Sequence, residues 1–180
     1  MPDLHTFQFV GGPIDDPADA NALFLELGKA ATAWARLEQQ IEAILLHVNK
    51  QDFSEELFED HPVSFTKKLR ILKQWFKKHK ALASFKEPAL EIMSKLWDLA
   101  DERNLYLHSI LEDFDPASKM ATFHRILPKG EDKFTFTKSE VPIEQISAFT
   151  DIIRATNRYL WSLSEGIFTA DTISKLENTQ

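Results

Sequence analysis

Three polar side chains near the end of one predicted helix have the chemistry to cleave RNA without a metal ion. They are Arg103, Asn104 and His108, and the last two share a helix face because they lie four residues apart. Histidine titrates near neutral pH, so it can take a proton from a ribose 2′-hydroxyl or give one to a leaving 5′-oxygen. Arginine stays charged, and its planar fork suits a phosphate. Such cleavage leaves a 2′,3′-cyclic phosphate and a 5′-hydroxyl.

The helix that must position these side chains is predicted over residues 88–112. Two neighbouring apolar stripes run along it, and Arg103 and Asn104 interrupt both at the same level. The stripes consist of Leu90, Met93, Trp97, Ala100, Leu107 and Leu111, and of Ile92, Leu96, Leu99, Tyr106 and Ile110. Burial of a guanidinium and an amide is unfavourable by several kcal/mol unless both find partners.

Two interpretations of this polar cluster are open. In the first, it is a functional site with Glu38 and Tyr106 as supporting residues. In the second, Arg103 pairs with a core acid such as Glu38 or Asp101, and His108 lies at the top of the helical bundle. Glu38 suits either role, because it neighbours the apolar Leu37 on an earlier helix.

Apolar spacing and helix-capping residues predict the other elements. A long first helix begins at Asp16 and Pro17, a second begins near Ser64, and a fourth runs from Pro142 to Gly166. Residues 121–127 and 133–138 form a predicted β-hairpin. The expected fold is a mostly α, up-and-down bundle of about four main helices with a small β-hairpin between the third and fourth. It forms one domain over 1–180, with an extended arm at 1–15 and a polar tail at 169–180.

Composition narrows the function classes. The chain has 180 residues, a net charge of −7, no cysteine and five glycines. These values argue against disulfides, thiolate metal sites and a general affinity for nucleic acid through a basic surface, DNA included, while a local basic site stays open. The glycine motifs of nucleotide-binding and hydrolase folds are missing, as are His-Glu-x-x-His and Glu-x-x-His. We therefore expect a cytoplasmic protein with no metal, cofactor or membrane partner, since no long apolar segment or signal peptide is evident.

The second helix is the one strongly basic segment. Lys67, Arg70 and Lys73 are candidates for contacting an RNA backbone, although such a face is more often simply solvated. The four tryptophans, Trp34, Trp75, Trp97 and Trp161, fall at helical spacing among apolar residues. We predict that all four pack in the core.

The segment RNLYLH, residues 103–108, resembles the Arg-polar-x-x-x-His signature of the HEPN superfamily. The segments WARLEQQIEAIL, SFTKKLRIL and LWDLADE add to this resemblance, which covers residues 17–165. Members are helical-bundle domains, many of them metal-independent ribonucleases that dimerise to bring two Arg/His pairs into one cleft. The resemblance implies that Arg103, His108 and Asn104 form the catalytic set. Ser109 and Ile110 depart from the glycine and tyrosine that some members carry there.

The resemblance implies a homodimeric endoribonuclease of a toxin–antitoxin or defence system, with RNA as substrate and an antitoxin or other protein as partner. The alternative is a non-catalytic helical module that binds a nucleotide, RNA or another protein. A carboxylate-metal bundle enzyme is a weaker third interpretation, because paired ligands are missing.

Overall fold

A computed structural model describes residues 20–50, 62–78, 80–128 and 134–177. Within them are α1 (Asn21–Lys50), α2 (Phe65–Lys78), a short 3₁₀ helix (Lys80–Phe85), α3 (Lys86–His108), β1 (Ile110–Asp115), β2 (Met120–Pro128), β3 (Phe134–Pro142) and α4 (Ile143–Glu177). This order confirms the predicted fold class, a mostly helical chain with a small antiparallel hairpin between the third and fourth helices. In the described residues, no helix is both long enough and apolar enough to cross a membrane.

The chain divides into two compact units. The helical unit comprises Thr32–Asp101 and Asp151–Gln180, and the sheet unit comprises Met1–Ala31 and Glu102–Thr150. The predicted arm at 1–15 and the predicted helix start at Asp16 and Pro17 lie outside the described residues.

The helical unit contains apolar faces from all four α-helices. Its buried side chains recur at steps of three and four, as in Trp34, Leu37, Ile41, Ile44 and Leu45 of α1 and Leu69, Leu72, Trp75 and Phe76 of α2. Ser64 begins α2 as predicted, because its Oγ accepts a hydrogen bond from the Lys67 backbone amide at 3.3 Å. Gln40 donates a hydrogen bond to the Ser164 Oγ at 2.5 Å, which links α1 to α4 inside this unit.

The sheet unit contains three antiparallel strands in the order β1, β2, β3. The prediction included β2 and β3 but was wrong at β1, because it continued α3 to about residue 112. The helix instead ends at His108, and residues 110–115 pair with β2 from Ile110↔His124 to Asp115↔Met120. Leu107 and Leu111 lie four residues apart, as on one face of a helix. Over so short a run, the helical period of 3.6 residues cannot be distinguished from the strand period of two.

The turn between β1 and β2 lies where the sequence places Asp115 and Pro116. The Asp115 carboxylate accepts hydrogen bonds from the Ser118 hydroxyl and from the amides of Ala117 and Ser118. These bonds, that from the Ser118 side chain foremost, lower the pKa of the Asp115 carboxyl. Lys119 completes the turn with a φ of 56°. A short polar turn of this kind holds β1 against β2. It thereby favours a strand, rather than a longer α3, over residues 110–115.

The fourth helix does not stop at Gly166, contrary to prediction, but continues to Glu177 through most of the predicted tail. A Cβ atom built on Gly166 would lie 2.9 Å from Cε1 of Phe85. The glycine therefore allows the Phe85 ring to approach α4 closely within the helical unit, and it does not end the helix. Glycine is common at helix ends, but it also occurs inside helices where another group comes too close for a side chain.

Two helix-interior glycines provide a matched test of this explanation. We expect Gly166→Ala to lower the free energy of unfolding by about 1–2 kcal/mol, because the ring or the helix must shift. Gly28→Ala in α1 should raise it by about 0.5–1 kcal/mol, because a Cβ there meets no atom within 4 Å and alanine favours helix. Urea denaturation of both variants measures the difference, and a stabilising Gly166→Ala would contradict the close-approach explanation.

Candidate functional site

The last two turns of α3 carry the predicted polar cluster in the sheet unit. Arg103 and Asn104 are half-buried, and His108 is exposed at the last residue of the helix. The Arg103 Nη1 atom donates a hydrogen bond to the Asn104 Oδ1 atom at 3.0 Å, and the Arg103 Nε atom is buried. The guanidinium is therefore held by its neighbour and does not extend freely into solvent.

The hydrogen bond between Arg103 and Asn104 affects the face of α3 towards which the guanidinium points. Residues five apart on a helix differ in direction by about 140°, so Arg103 and His108 begin on different faces. Asn104 and His108 differ by only about 40°. Because Asn104 holds one guanidinium nitrogen, it draws the positive charge towards the face that carries the imidazole.

His108 is the last residue of α3, where backbone carbonyl groups have no partners within the helix. The carbonyl groups of the last turn give this end of a helix a partial negative charge. One of them, the Asn104 carbonyl oxygen, accepts a 3.5 Å hydrogen bond from the Ser109 hydroxyl. The exposed His108 side chain at this helix end is accessible to a substrate.

Tyr106 anchors the turn of α3 that carries the cluster. Its side chain is 3% exposed, and its ring lies edge-on to Phe149 at 5.0 Å and tilted against Phe123 at 6.3 Å. Gln145 of α4 donates a hydrogen bond to its hydroxyl oxygen at 3.1 Å. Burial, aided by the carboxylate of Glu102, raises the pKa of the Tyr106 phenol, so the side chain stays neutral. Its contacts suit the supporting role predicted for it.

Tyr106→Phe tests how much the polar end of this anchor contributes. The change leaves the Gln145 amide without its acceptor while keeping the ring contacts. We expect the free energy of unfolding to fall by about 1 kcal/mol. Chemical denaturation measures it, and Tyr159→Phe, which alters an exposed tyrosine of α4, serves as the control. Equal effects of the two changes would argue against the hydrogen bond.

Glu38 lies in the helical unit, half-buried beside the fully buried Leu37. Its pairing with Arg103, and any supporting role for it at the cluster, stay predictions. In the described residues, no three His, Asp or Glu side chains are grouped so that they could hold a metal ion.

The basic residues of α2 are exposed at Lys67, Arg70 and Lys73, as either interpretation of this face requires. Their neighbour Lys68 differs from them, because its ammonium pairs with Glu42 of α1 at 2.7 Å. Lys67 differs from Arg70 and Lys73 in its position relative to a groove. Arg70 and Lys73 line a groove in the helical unit, and Lys67 does not.

The prediction that every tryptophan packs in the core is confirmed for Trp34 and Trp75 but wrong for Trp97 and Trp161. These two are 43% and 56% exposed. On α3 members of both stripes are buried, among them Ile92 and Leu96 of one and Met93 and Ala100 of the other, and the large Trp97 side chain is left partly in solvent, where it lines a groove with Arg70 and Lys73. The pattern of two apolar stripes was visible in the sequence, but it did not reveal which of their side chains would stay exposed.

The candidate site is therefore the end of α3, with Arg103, Asn104 and His108 together on one element and Tyr106 beneath them. The resemblance to HEPN domains rests on these residues and on the segments around them. Comparisons with protein-family models, curated proteins and solved structures found no match for this chain.

Proposed function

We propose that this protein is a HEPN-like, metal-independent endoribonuclease whose active site contains Arg103, Asn104 and His108. The observation that supports this function best is the exposed imidazole at the end of α3, one turn from an asparagine that holds a half-buried guanidinium. An arginine serving only to stabilise the fold would not require an exposed histidine beside it. A site that acts on a phosphodiester can use both, the histidine for proton transfer and the arginine for the charge on the phosphate.

In the proposed reaction the His108 imidazole accepts the proton of the ribose 2′-hydroxyl. The 2′-oxygen forms a bond to phosphorus, and the bond from phosphorus to the 5′-oxygen breaks. Arg103 stabilises the negative charge that builds on the non-bridging oxygens, because its guanidinium stays protonated and directs two N–H groups at a phosphate. The 5′-oxygen leaves with a proton, so the products are a 2′,3′-cyclic phosphate and a 5′-hydroxyl.

A homodimer completes the acid–base set. In-line displacement places the base and the acid on opposite sides of the phosphorus, and one imidazole cannot occupy both positions in the same step. Two copies of α3 facing each other across a two-fold axis would supply one His108 for each side. We propose this dimer as the active form, working on RNA in the cytoplasm within a toxin–antitoxin or defence system under the control of a partner protein.

The remaining residues position Arg103 and His108 and do not contact the substrate. Asn104 orients the guanidinium through its 3.0 Å hydrogen bond. Tyr106 positions the helix turn by packing against Phe149 and Phe123. Glu38 is proposed as a further partner for the positive charge.

The test is incubation of the purified full-length protein with a panel of labelled RNAs in excess EDTA. Cleavage that proceeds without metal and leaves 2′,3′-cyclic phosphate ends is the expected result. Sedimentation measurements on the same preparation give the oligomeric state. A folded dimer that cleaves none of the RNAs would contradict the proposal and favour the non-catalytic binding module.

A further inference from the structure

A groove in the helical unit lies between α2 and α3 and has a volume of about 380 Å³. That volume falls within the range of small-molecule sites, roughly 300–1,000 Å³. On the α2 side it is lined by Leu69, Arg70 and Lys73. The proposed cleavage chemistry uses none of these residues.

The α3 side of the groove presents an aromatic surface over an apolar floor. Trp97 is 43% exposed, whereas Met93 and Leu69 beside it are 2% and 1% exposed. A partly exposed indole in a groove that is also lined by buried apolar side chains offers a flat surface for another ring. Nucleobases stack on such surfaces whatever their identity, because every base has a π-face.

The two cations of the groove are available to a ligand. Among the described residues, neither Arg70 nor Lys73 makes a side-chain hydrogen bond or an ion pair, unlike Lys68 on the same helix. They lie three residues apart on one helix, so their side chains point the same way. On a chain of net charge −7, two unpaired cations beside an exposed ring form a local site for an anion.

Ser94 and Asp98 give the groove a hydrogen-bonding edge. They lie four residues apart on α3 and line the same groove as the indole. A carboxylate accepts hydrogen bonds and cannot donate them, so it favours a base with an exocyclic amino group. Adenine, cytosine and guanine carry such a group, whereas the one N–H donor of the uracil in UMP lies between two carbonyl oxygens that a carboxylate repels. The same negative charge discourages phosphate from binding on this side and leaves it to Arg70 and Lys73.

We propose that this groove binds one nucleotide unit, with its base stacked on Trp97, the amino group of the base on Asp98 and its phosphate on Arg70 and Lys73. The ligand is either a free 5′-nucleotide or one residue of single-stranded RNA. The inference does not depend on the proposed cleavage reaction.

Calorimetric titration of the full chain tests the proposal with four probes: 5′-AMP, 5′-UMP, inorganic phosphate and a 2′-O-methyl oligoadenylate. The last lacks the free 2′-hydroxyl that cleavage needs, so its binding is measured whether or not the protein is a ribonuclease. We expect AMP to bind at least fivefold more tightly than UMP. Binding of AMP alone would identify a free nucleotide as the ligand, and binding of the oligonucleotide alone would identify RNA.

Four variants connect any binding to the groove. Trp97→Ala should weaken binding about tenfold, and Trp97→Phe should retain most of it because a ring remains. Arg70→Ala should weaken binding and flatten its dependence on salt, since a phosphate contact is lost. Asp98→Asn should reduce the preference for AMP over UMP.

Trp161→Ala and Arg158→Ala are the matched controls, because both residues are exposed on α4 and neither lines the groove. Circular dichroism confirms that each variant is folded. The proposal is overturned if no probe binds at millimolar concentration, if phosphate binds as tightly as AMP, or if Trp97→Ala binds as tightly as Trp161→Ala.

Discussion

The His108→Ala variant is expected to cleave RNA at least a hundredfold more slowly than the wild type in EDTA. General acid–base catalysis by a positioned side chain accelerates reactions by roughly 10²–10⁴-fold, and the proposed site uses the same imidazole in both protomers. The side chain is exposed at the end of α3, so its removal leaves no cavity in the core. The measurement is the single-turnover rate on one labelled RNA, with the free energy of unfolding recorded for the same variant.

His124→Ala is the control for the loss of an imidazole. His124 lies on β2 in the same unit, and its Nε2 atom is 2.9 Å from the Glu112 carboxylate. We expect this variant to keep the wild-type rate within about twofold, because surface ion pairs contribute little to stability. If His108→Ala keeps that rate as well, His108 is not the proton-transfer group. If both variants lose activity equally, the loss reflects the sheet unit and not the chemistry.

The Phe149→Ala variant is expected to lose about 3–5 kcal/mol of unfolding free energy, the largest effect on stability that we predict. Phe149 is 1% exposed on α4, and its ring lies edge-on to Tyr106 at 5.0 Å within the sheet unit. Removing it opens a cavity beneath the turn of α3 that carries Arg103 and Asn104. Small domains have only about 5–15 kcal/mol of stability in total, so the change should be evident in urea denaturation.

Phe134→Ala is the matched control, since the same ring at the start of β3 is 54% exposed. Its effect should stay within about 0.5 kcal/mol of zero, as is usual for surface changes. A double-mutant cycle between Phe149→Ala and Tyr106→Ala should give a coupling of about 0.5–1.5 kcal/mol. Additive effects would show that the edge-on contact contributes nothing beyond its buried area.

The starts of α2 and α4 were predictable because local groups set them. Ser64 caps α2 with its own side chain, and α4 begins directly after Pro142. The ends of α3 and α4 were not predictable, because they depend on distant residues. Pairing with β2 takes residues 110–115 out of the helix, and contact with Phe85 explains why a glycine lies inside α4.

The candidate site shows the same division. Spacing alone placed Arg103, Asn104 and His108 near one helix end, and the hydrogen bond between Arg103 and Asn104 joins chain neighbours. Spacing did not show that Tyr106 would bond to Gln145, which is distant in the chain. Nor did it distinguish Trp97 from Trp75, since both lie at helical spacing among apolar residues and only Trp75 is covered.

By itself, the sequence determined the helical class, the starts of α2 and α4 and the chemistry available at the end of α3. These follow from interactions between residues a few positions apart, and such interactions can be inferred from order and spacing. The tertiary structure decided that β1 follows α3, that Gly166 lies inside α4, and that Trp97 is exposed. Those outcomes depend on which surfaces meet in the folded chain. When a chain has more large apolar side chains than its core can cover, packing decides which of them stay exposed.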